Sequence, residues 1–154
     1  MSAAVKNMTE VNPTSRYIST LLIKFVSEFL VFAVKKYDLS VQEISIISFV
    51  LTECYRDLIK DPFIIQNYGT EEHPVPESFL TPATLKSVHL NLGMSRETAR
   101  RKLESLVERG FLTRSKRGYA YPVKIGQADS HAEFRAFLVG KSRELRDFLN
   151  KTAG

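Results

Sequence analysis

Two short helical patterns joined by a tight turn constrain the fold of this chain more than any other feature. The first pattern ends at Leu92, and the second begins at Ser95. Gly93 suits the left-handed backbone that ends a helix, and Ser95 is a good N-cap for the next one. Two β-like runs follow, over residues 111–115 and 119–125. This order predicts two packed helices and then a β-hairpin.

The positive charge of the chain is concentrated in this same stretch. Residues 84–124 hold ten lysine and arginine residues against three carboxylates, which gives a net charge of +7. The remaining 113 residues hold twelve cations against fourteen carboxylates, which gives −2. Proteins that bind polyanions have such a segregated charge, so the stretch is predicted to bind double-stranded DNA.

The second helix of the pair, predicted over residues 95–109, carries side chains that suit base edges. Its apolar face, predicted to pack inward, consists of Ala99, Leu103, Leu106 and Val107. Arginine bonds guanine O6 and N7 bidentately, and a carboxylate accepts a hydrogen bond from cytosine N4. Arg96, Glu97 and Arg101 are therefore the predicted base-reading residues. The alternative role for Glu97 is a surface ion pair with Arg101.

Hydroxyl groups at helix starts and flanking cations suit phosphate. The predicted phosphate and backbone contacts are Thr84, Ser95, Thr98, Arg100 and Lys102. The hairpin adds a basic tip, residues 114–119, predicted to reach the minor groove or the DNA backbone. Its predicted contact residues are Arg114, Lys116, Arg117 and Tyr119. If six cations meet phosphates, log affinity falls with log salt at a slope of about −5.

Helices are also predicted on both sides of the basic stretch, over residues 17–36, 41–60 and 129–151. The first is apolar nearly all round, so it must be buried on more than one side. A second subunit buries such a helix economically in a small chain, and a central position in the core is the alternative. The inward residues predicted for the second helix are Ile44, Ile47, Val50, Leu51, Leu58 and Ile59.

The chain length predicts a single domain preceded by a flexible tail. The predicted parts are a tail (1–15) and a domain (16–154) made of a helical dimerisation or core part (16–60), a loop (61–80), the helix pair and hairpin (81–125) and a last helix (129–151). The predicted fold class is mainly α with a small β-hairpin.

The single cysteine and the distribution of apolar residues indicate the compartment in which the protein works. Cys54 is the only cysteine, so an internal disulfide is excluded and a reducing compartment is indicated. The Cys54 side chain is predicted to be a small, buried apolar group. The first 20 residues lack the apolar segment of a signal peptide. The apolar run 21–34 contains Lys24 and Glu28 and is predicted to be too short to cross a bilayer. The sequence therefore predicts a cytoplasmic protein with no membrane contact.

No catalytic or cofactor site is predicted. The chain has no Gly-rich phosphate loop, no paired metal ligands and no nucleophile motif, so we predict that it is not an enzyme and needs no cofactor. Glu71, Glu72 and His73 have metal-binding atoms, but one histidine beside two solvated carboxylates usually binds nothing. No metal site is predicted.

Residues 84–124 resemble the winged helix-turn-helix of bacterial transcription regulators. Residues 92–101 are similar to the helix-turn-helix of the cyclic-AMP receptor class, in which the positions of Arg96, Glu97 and Arg101 read bases and those of Ser95 and Thr98 touch phosphate. Residues 108–112 are similar to the junction between helix and wing. The resemblance implies a winged helix-turn-helix fold.

The order of the remaining helices resembles the multiple-antibiotic-resistance regulator (MarR) family. That resemblance implies a homodimer joined through the N- and C-terminal helices. The loop 61–80 is longer than the usual link in that family. His89 replaces the small residue usual where the two short helices cross, which implies a wider crossing or an outward ring.

Two functions follow from the sequence. The first is a sequence-specific, DNA-binding transcriptional regulator that acts as a homodimer. The alternative is a winged-helix module that binds proteins and no DNA. A small-molecule effector of unknown chemistry is a further hypothesis, with Tyr17, Phe25 and Phe29 as candidate pocket residues or plain core.

Overall fold

The computed structural model of the protein describes residues 13–68, 70, 72–122 and 129–152. Within these residues the chain is mainly helical with one small antiparallel hairpin, which confirms the predicted class. The α-helices are α1 (Pro13–Tyr37), α2 (Val41–Tyr55), α3 (Pro62–Asn67), α4 (Leu85–Leu92), α5 (Arg96–Glu108) and α6 (Asp129–Thr152). The strands are β1 (Thr113–Ser115) and β2 (Gly118–Ala120), and 3₁₀ turns span Leu58–Lys60 and Glu77–Phe79.

The chain divides into two compact units, where the sequence predicted one domain. The first comprises Met1–Asp38 with Phe134–Gly154, and the second is Leu39–Glu133. The physical basis is that each has its own apolar contacts: aromatic rings of α1 and α6 in the first, and a small aliphatic core in the second.

The first unit is an antiparallel pair of helices. Phe32 of α1 stacks on Phe137 of α6 with ring centroids 4.7 Å apart, and Tyr37, at the end of α1, contacts Phe134, near the start of α6, at 6.2 Å. Nearer the start of α1, Lys24 lies 4.0 Å from Glu144. Partners earlier in α1 are thus later in α6, so the two helices run in opposite directions.

Lys141 interrupts the apolar stripe of α6, and the structure gives it partners. Its ammonium pairs with Glu28 of α1 and with Glu144, and lies 5.5 Å from the ring centres of Phe25 and Phe137. The hydrogen bond from Lys141 lowers the pKa of the Glu28 carboxyl below its ordinary value. Lys141 therefore joins α6 to α1 by an ion pair with Glu28 and by a cation–π contact with Phe25.

Much of the apolar surface of α1 is exposed. Ile23 is 70% and Val26 58% exposed. By length and composition alone, the segment Ser15–Tyr37 could cross a membrane. This helix extends beyond the predicted apolar run 21–34 on both sides. The same length and composition also occur in core helices of soluble proteins and in signal sequences.

Three predicted boundaries need correction. α1 begins at Pro13, within the predicted tail, because proline is tolerated in the first helical turn. α2 ends at Tyr55, so Ile59 falls on the following 3₁₀ turn and is 65% exposed. The predicted loop 61–80 contains α3, because Asp61 caps the helix that Pro62 begins. Residues 1–12 of the tail and 123–125 of the second strand run lie outside the described residues.

The second unit packs α2, α4 and α5 around a core of small and aliphatic side chains. Its fully buried large side chains are Ile46, Val50, Cys54, Val88, Leu103, Leu106 and Leu112. Ile46 is fully buried, whereas Ile47, which the sequence predicts to point inward, is only half-buried. Burial of Cys54 raises the pKa of its thiol, which fits the predicted role of a small hydrophobe.

Gly118 holds the hairpin against the chain that precedes α4. Ala83 and Tyr119 exchange two backbone N–H···O bonds of 2.8 Å, and a Cβ on Gly118 would overlap the carbonyl oxygen of Ala83. Its φ of +139° also disfavours any other residue. The hairpin is therefore fixed to the second unit by backbone contacts.

Gly118→Ala should lower the free energy of unfolding by roughly 3 kcal/mol, because a close backbone contact and strained dihedrals must both be accommodated. Gly110→Ala is the matched control: Gly110 also has a positive φ of 81°, but a Cβ there would meet nothing within 4 Å. We expect about 1 kcal/mol for the control. Urea unfolding of both variants measures the difference, and equal losses would contradict the proposed close approach.

Candidate nucleic-acid interface

The turn between α4 and α5 is built from three local signals. The Thr84 side chain accepts from the backbone N–H of Ser87 at 3.1 Å, and the Ser87 hydroxyl accepts from that of Thr84 at 3.0 Å. Gly93 ends α4 with a left-handed φ of 65°. Ser95 caps α5 by accepting from the N–H of Thr98 at 3.1 Å. The Ser95 cap confirms the predicted start of the second helix of the pair, and Gly93 confirms the predicted end of the first.

One face of α5 packs into the second unit and the opposite face is exposed. Ala99, Leu103 and Leu106 are fully buried. Because residues advance by about 100° around a helix, Glu97 and Arg101 fall on the far side and are exposed. Arg96, in the first turn, is exposed too, so the three predicted base-reading residues all have solvent-accessible side chains.

Arg100 lies between two carboxylates of its own helix. Its Nε and Nη2 donate to the two oxygens of Glu97 at 3.0 and 2.6 Å. Its Nη1 donates to both oxygens of Glu104 at 2.9 and 2.8 Å. The surface partner of Glu97 is thus Arg100, three residues on, and the pair with Arg101 is not formed.

The pKa values of these groups follow from the hydrogen bonds. Hydrogen bonds from Arg100 lower the pKa of the Glu97 carboxyl below its ordinary value, while those from Glu97 and Glu104 raise the pKa of the Arg100 guanidinium. The Glu97 carboxyl is therefore ionised at neutral pH, and its oxygens only accept hydrogen bonds.

The hydroxyls predicted to contact phosphate are partly engaged within the helix start. The Ser95 hydroxyl accepts from the Thr98 N–H and donates to the Thr98 Oγ1 at 2.8 Å. The Thr98 hydroxyl keeps its own proton for another acceptor. Ser95 thus serves mainly as a cap, and Thr98 is the better-placed donor of the two.

The hairpin presents cations at its tip. Lys116 and Arg117 lie in the turn between β1 and β2 and are exposed, and the Ser115 hydroxyl accepts from the N–H of Arg117 at 3.2 Å. Arg114 is also exposed, with its guanidinium 5.8 Å from the ring centre of Tyr119. The hairpin of β1 and β2 therefore carries three exposed cations at or next to its turn.

Tyr119 is the exception among the predicted tip residues. Its side chain is only 6% exposed, because alternation along β2 turns the ring inward. It belongs to the core, and its prediction as a DNA contact is corrected. Lys124, counted in the basic stretch, lies outside the described residues.

The residues predicted to contact DNA lie on elements that contact one another: α4, α5 and the hairpin. Ala83, bonded to the hairpin, immediately precedes Thr84 at the start of α4, and α4 packs on α5. No family model, curated protein or solved structure matches the chain.

Two features of this region were missed from the sequence. Glu104 anchors Arg100, and the spacing of four residues between them was a visible signal for an ion pair. The bridge between Ala83 and Tyr119 had no comparable signal, since single-residue pairing leaves no periodic pattern. His89 is half-buried on α4, and its carbonyl accepts from Met94 at 3.2 Å within the turn.

Other candidate sites are weaker. Among the described residues no group of three or more His, Cys, Asp or Glu side chains is placed to hold a metal ion. An open groove of about 530 Å³ lies along α1 and is lined by Ser27, Glu28, Val31, Phe32, Lys35 and Lys36. None of the three aromatics predicted for an effector pocket lines this groove.

Proposed function

We propose that the protein is a sequence-specific regulator of transcription that binds double-stranded DNA through a winged helix-turn-helix. In this proposal α5 enters the major groove and the hairpin, as the wing, meets the minor groove or the backbone. The observation that carries it is the exposure of Glu97 and Arg101 on the face of α5 opposite the buried Ala99, Leu103 and Leu106, with an exposed Arg96 in the first turn. A helix anchored in this way presents fixed donors and acceptors to base edges.

Charge supports the same proposal. The stretch 84–124 is strongly basic, whereas the remainder of the chain is slightly acidic. Purely electrostatic binding would gain nothing from a carboxylate at the start of α5, where phosphates lie close. Glu97 therefore favours base reading over a general grip on nucleic acid.

The experiment is selection of bound duplexes from a random pool, with the full chain as bait. Enrichment of one two-fold symmetric site is expected. Recovery of duplexes without any preferred sequence would remove specific recognition, and the absence of duplex binding near 50 mM salt would favour a protein-binding module. Affinity for the selected site should fall with salt at a slope of about −5 if six cations meet phosphates.

A homodimer through the first unit is part of the proposal. α1 and α6 pair with each other, yet Ile23, Val26 and Val139 remain about half exposed or more. When only two helices pair, part of the apolar surface of each stays in water. In a two-fold symmetric dimer, the same surface of the second copy covers that part. Two subunits then explain a two-fold site. A cytoplasmic location, away from membranes, belongs to the same proposal and is supported by the free thiol of Cys54.

Ile23→Glu combined with Val26→Glu is expected to give monomers at micromolar concentration, since charges would replace apolar side chains at the contact. Both side chains are exposed within one chain, so the fold of the monomer should persist. Sedimentation in detergent-free buffer measures the mass. Ile65→Glu makes the same change at an isoleucine that is 60% exposed in the second unit, and it should remain dimeric. A dimeric double variant would contradict this interface.

A further inference from the structure

Arg100 uses most of its hydrogen-bonding capacity inside its own helix. A guanidinium has five N–H donors on three nitrogens, and all three nitrogens of Arg100 donate to Glu97 or Glu104. The fork meets Glu97 with two parallel bonds, the geometry that fixes an arginine and a carboxylate most firmly.

Glu97 keeps acceptor capacity after this pairing. Each carboxylate oxygen has two lone-pair sites, and Arg100 occupies one site on each oxygen. The Glu97 side chain is 63% exposed, so the remaining sites face solvent. An exocyclic amino group of a base can bond to the outer side of the carboxylate without displacing Arg100.

We propose that Arg100 is a positioning residue, which holds the Glu97 carboxylate in place for base reading while Glu104 anchors Arg100 from the other side. This inference rests on the proposed function, and it concerns which residue sets the specificity of that site. Glu97 contacts the base, and Arg100 acts through Glu97.

We call Glu97, Arg100 and Glu104 together the clamp. Two physical effects make base reading by Glu97 more selective when the carboxylate is held in this way. A free glutamate loses rotamer freedom when it binds a base, whereas a carboxylate already held by two hydrogen bonds has lost that freedom beforehand. A lone carboxylate is also repelled by nearby phosphates, and the adjacent guanidinium offsets that repulsion. The clamp should therefore improve discrimination at the base that Glu97 reads.

The clamp changes the role that the sequence suggested for Arg100. Because its charge is offset by two carboxylates, the three side chains together carry a net charge of −1. Such a group attracts phosphate poorly. The two roles differ in what they predict: a phosphate contact strengthens binding to every sequence, whereas a positioning residue affects one base pair.

Arg100→Gln is the first test, with binding measured on the selected duplex and on all its single-base variants. Discrimination at one base pair per half-site should fall roughly tenfold, the range of one base contact, while the other positions stay unchanged. Lys102→Gln is the matched control, because it removes one cation of α5 outside the clamp. It should weaken all duplexes alike and reduce the salt slope by about 0.9.

Glu97→Ala completes a double-mutant cycle. If Arg100 acts through Glu97, Arg100→Gln should cause no further loss of discrimination in the Glu97→Ala background. Glu104→Gln retains Arg100 and should reduce discrimination by roughly two- to threefold, without weakening general binding, since it removes a negative charge. Glu104→Gln also guards against a folding defect in Arg100→Gln, which thermal unfolding checks.

Three results would overturn the inference. They are equal weakening of all duplexes by Arg100→Gln, unchanged discrimination in Arg100→Gln, and an undiminished effect of Arg100→Gln in the Glu97→Ala background. In each of these the wild-type protein still selects a duplex, so the proposed function stands. If the wild type has no preferred duplex, the proposed function fails, and the role of Arg100 fails with it.

Discussion

Arg96→Ala combined with Arg101→Ala is expected to reduce affinity for the selected duplex by roughly a hundredfold or more. Both guanidinium groups are exposed on α5, and each bidentate contact with guanine contributes about 1–3 kcal/mol to discrimination. Affinity for random duplex should fall much less, by the amount that two lost charges explain. The measurement is a titration of both duplexes at the same salt concentration.

Lys60→Ala is the control for this double variant. Lys60 is an exposed cation in the 3₁₀ turn Leu58–Lys60, outside the basic stretch. Its removal lowers the net charge without touching α5, so both duplexes should bind nearly as they do to the wild type. Equal losses for selected and random duplex in the double variant would show that Arg96 and Arg101 grip phosphate and read no base.

Leu103→Ala is expected to lower the free energy of unfolding by about 2–5 kcal/mol. Leu103 is fully buried where α5 packs on the second unit, so the truncation leaves a cavity that the surrounding helices cannot fill. A loss of this size is a large part of the stability of a small domain. Urea unfolding followed by circular dichroism gives the value.

Leu90→Ala makes the same truncation on α4, at a leucine that is 60% exposed. It should change the free energy of unfolding by about 0.5 kcal/mol or less. A similar loss in the two variants would mean that the buried face of α5 is not the anchor of the unit. It would also weaken the inference that α5 is held rigidly enough to read bases.

The helix pair could be predicted because its determinants are local. Thr84, Gly93 and Ser95 each satisfy backbone groups within four residues, so their residue types alone indicate where helices start and stop. The inward face of α5 followed from periodicity in the same way. Local chemistry of this kind does not depend on the remainder of the chain.

Features set by non-local contacts or by competing signals were not predicted. The sequence predicts Tyr119 as a contact of the basic hairpin with DNA, whereas its ring is buried on the inward side of β2, where its backbone pairs with Ala83. The prolines at 62, 74 and 76 predict a loop over 61–80, yet Pro62 begins α3 because Asp61 caps that helix. The choice of Arg100 over Arg101 by Glu97 depends on side-chain rotamers, which a sequence pattern does not determine.

The bridge between Ala83 and Tyr119 also bears on how this unit folds. It closes a loop that contains both α4 and α5, so it is a contact between residues far apart in the chain. Helices form from local contacts, whereas such a closure loses chain entropy before it gains any contact energy. We expect the two helices to form early and the hairpin to dock late. The basic tip would then reach its final position only in the last folding step, after α5 is already packed.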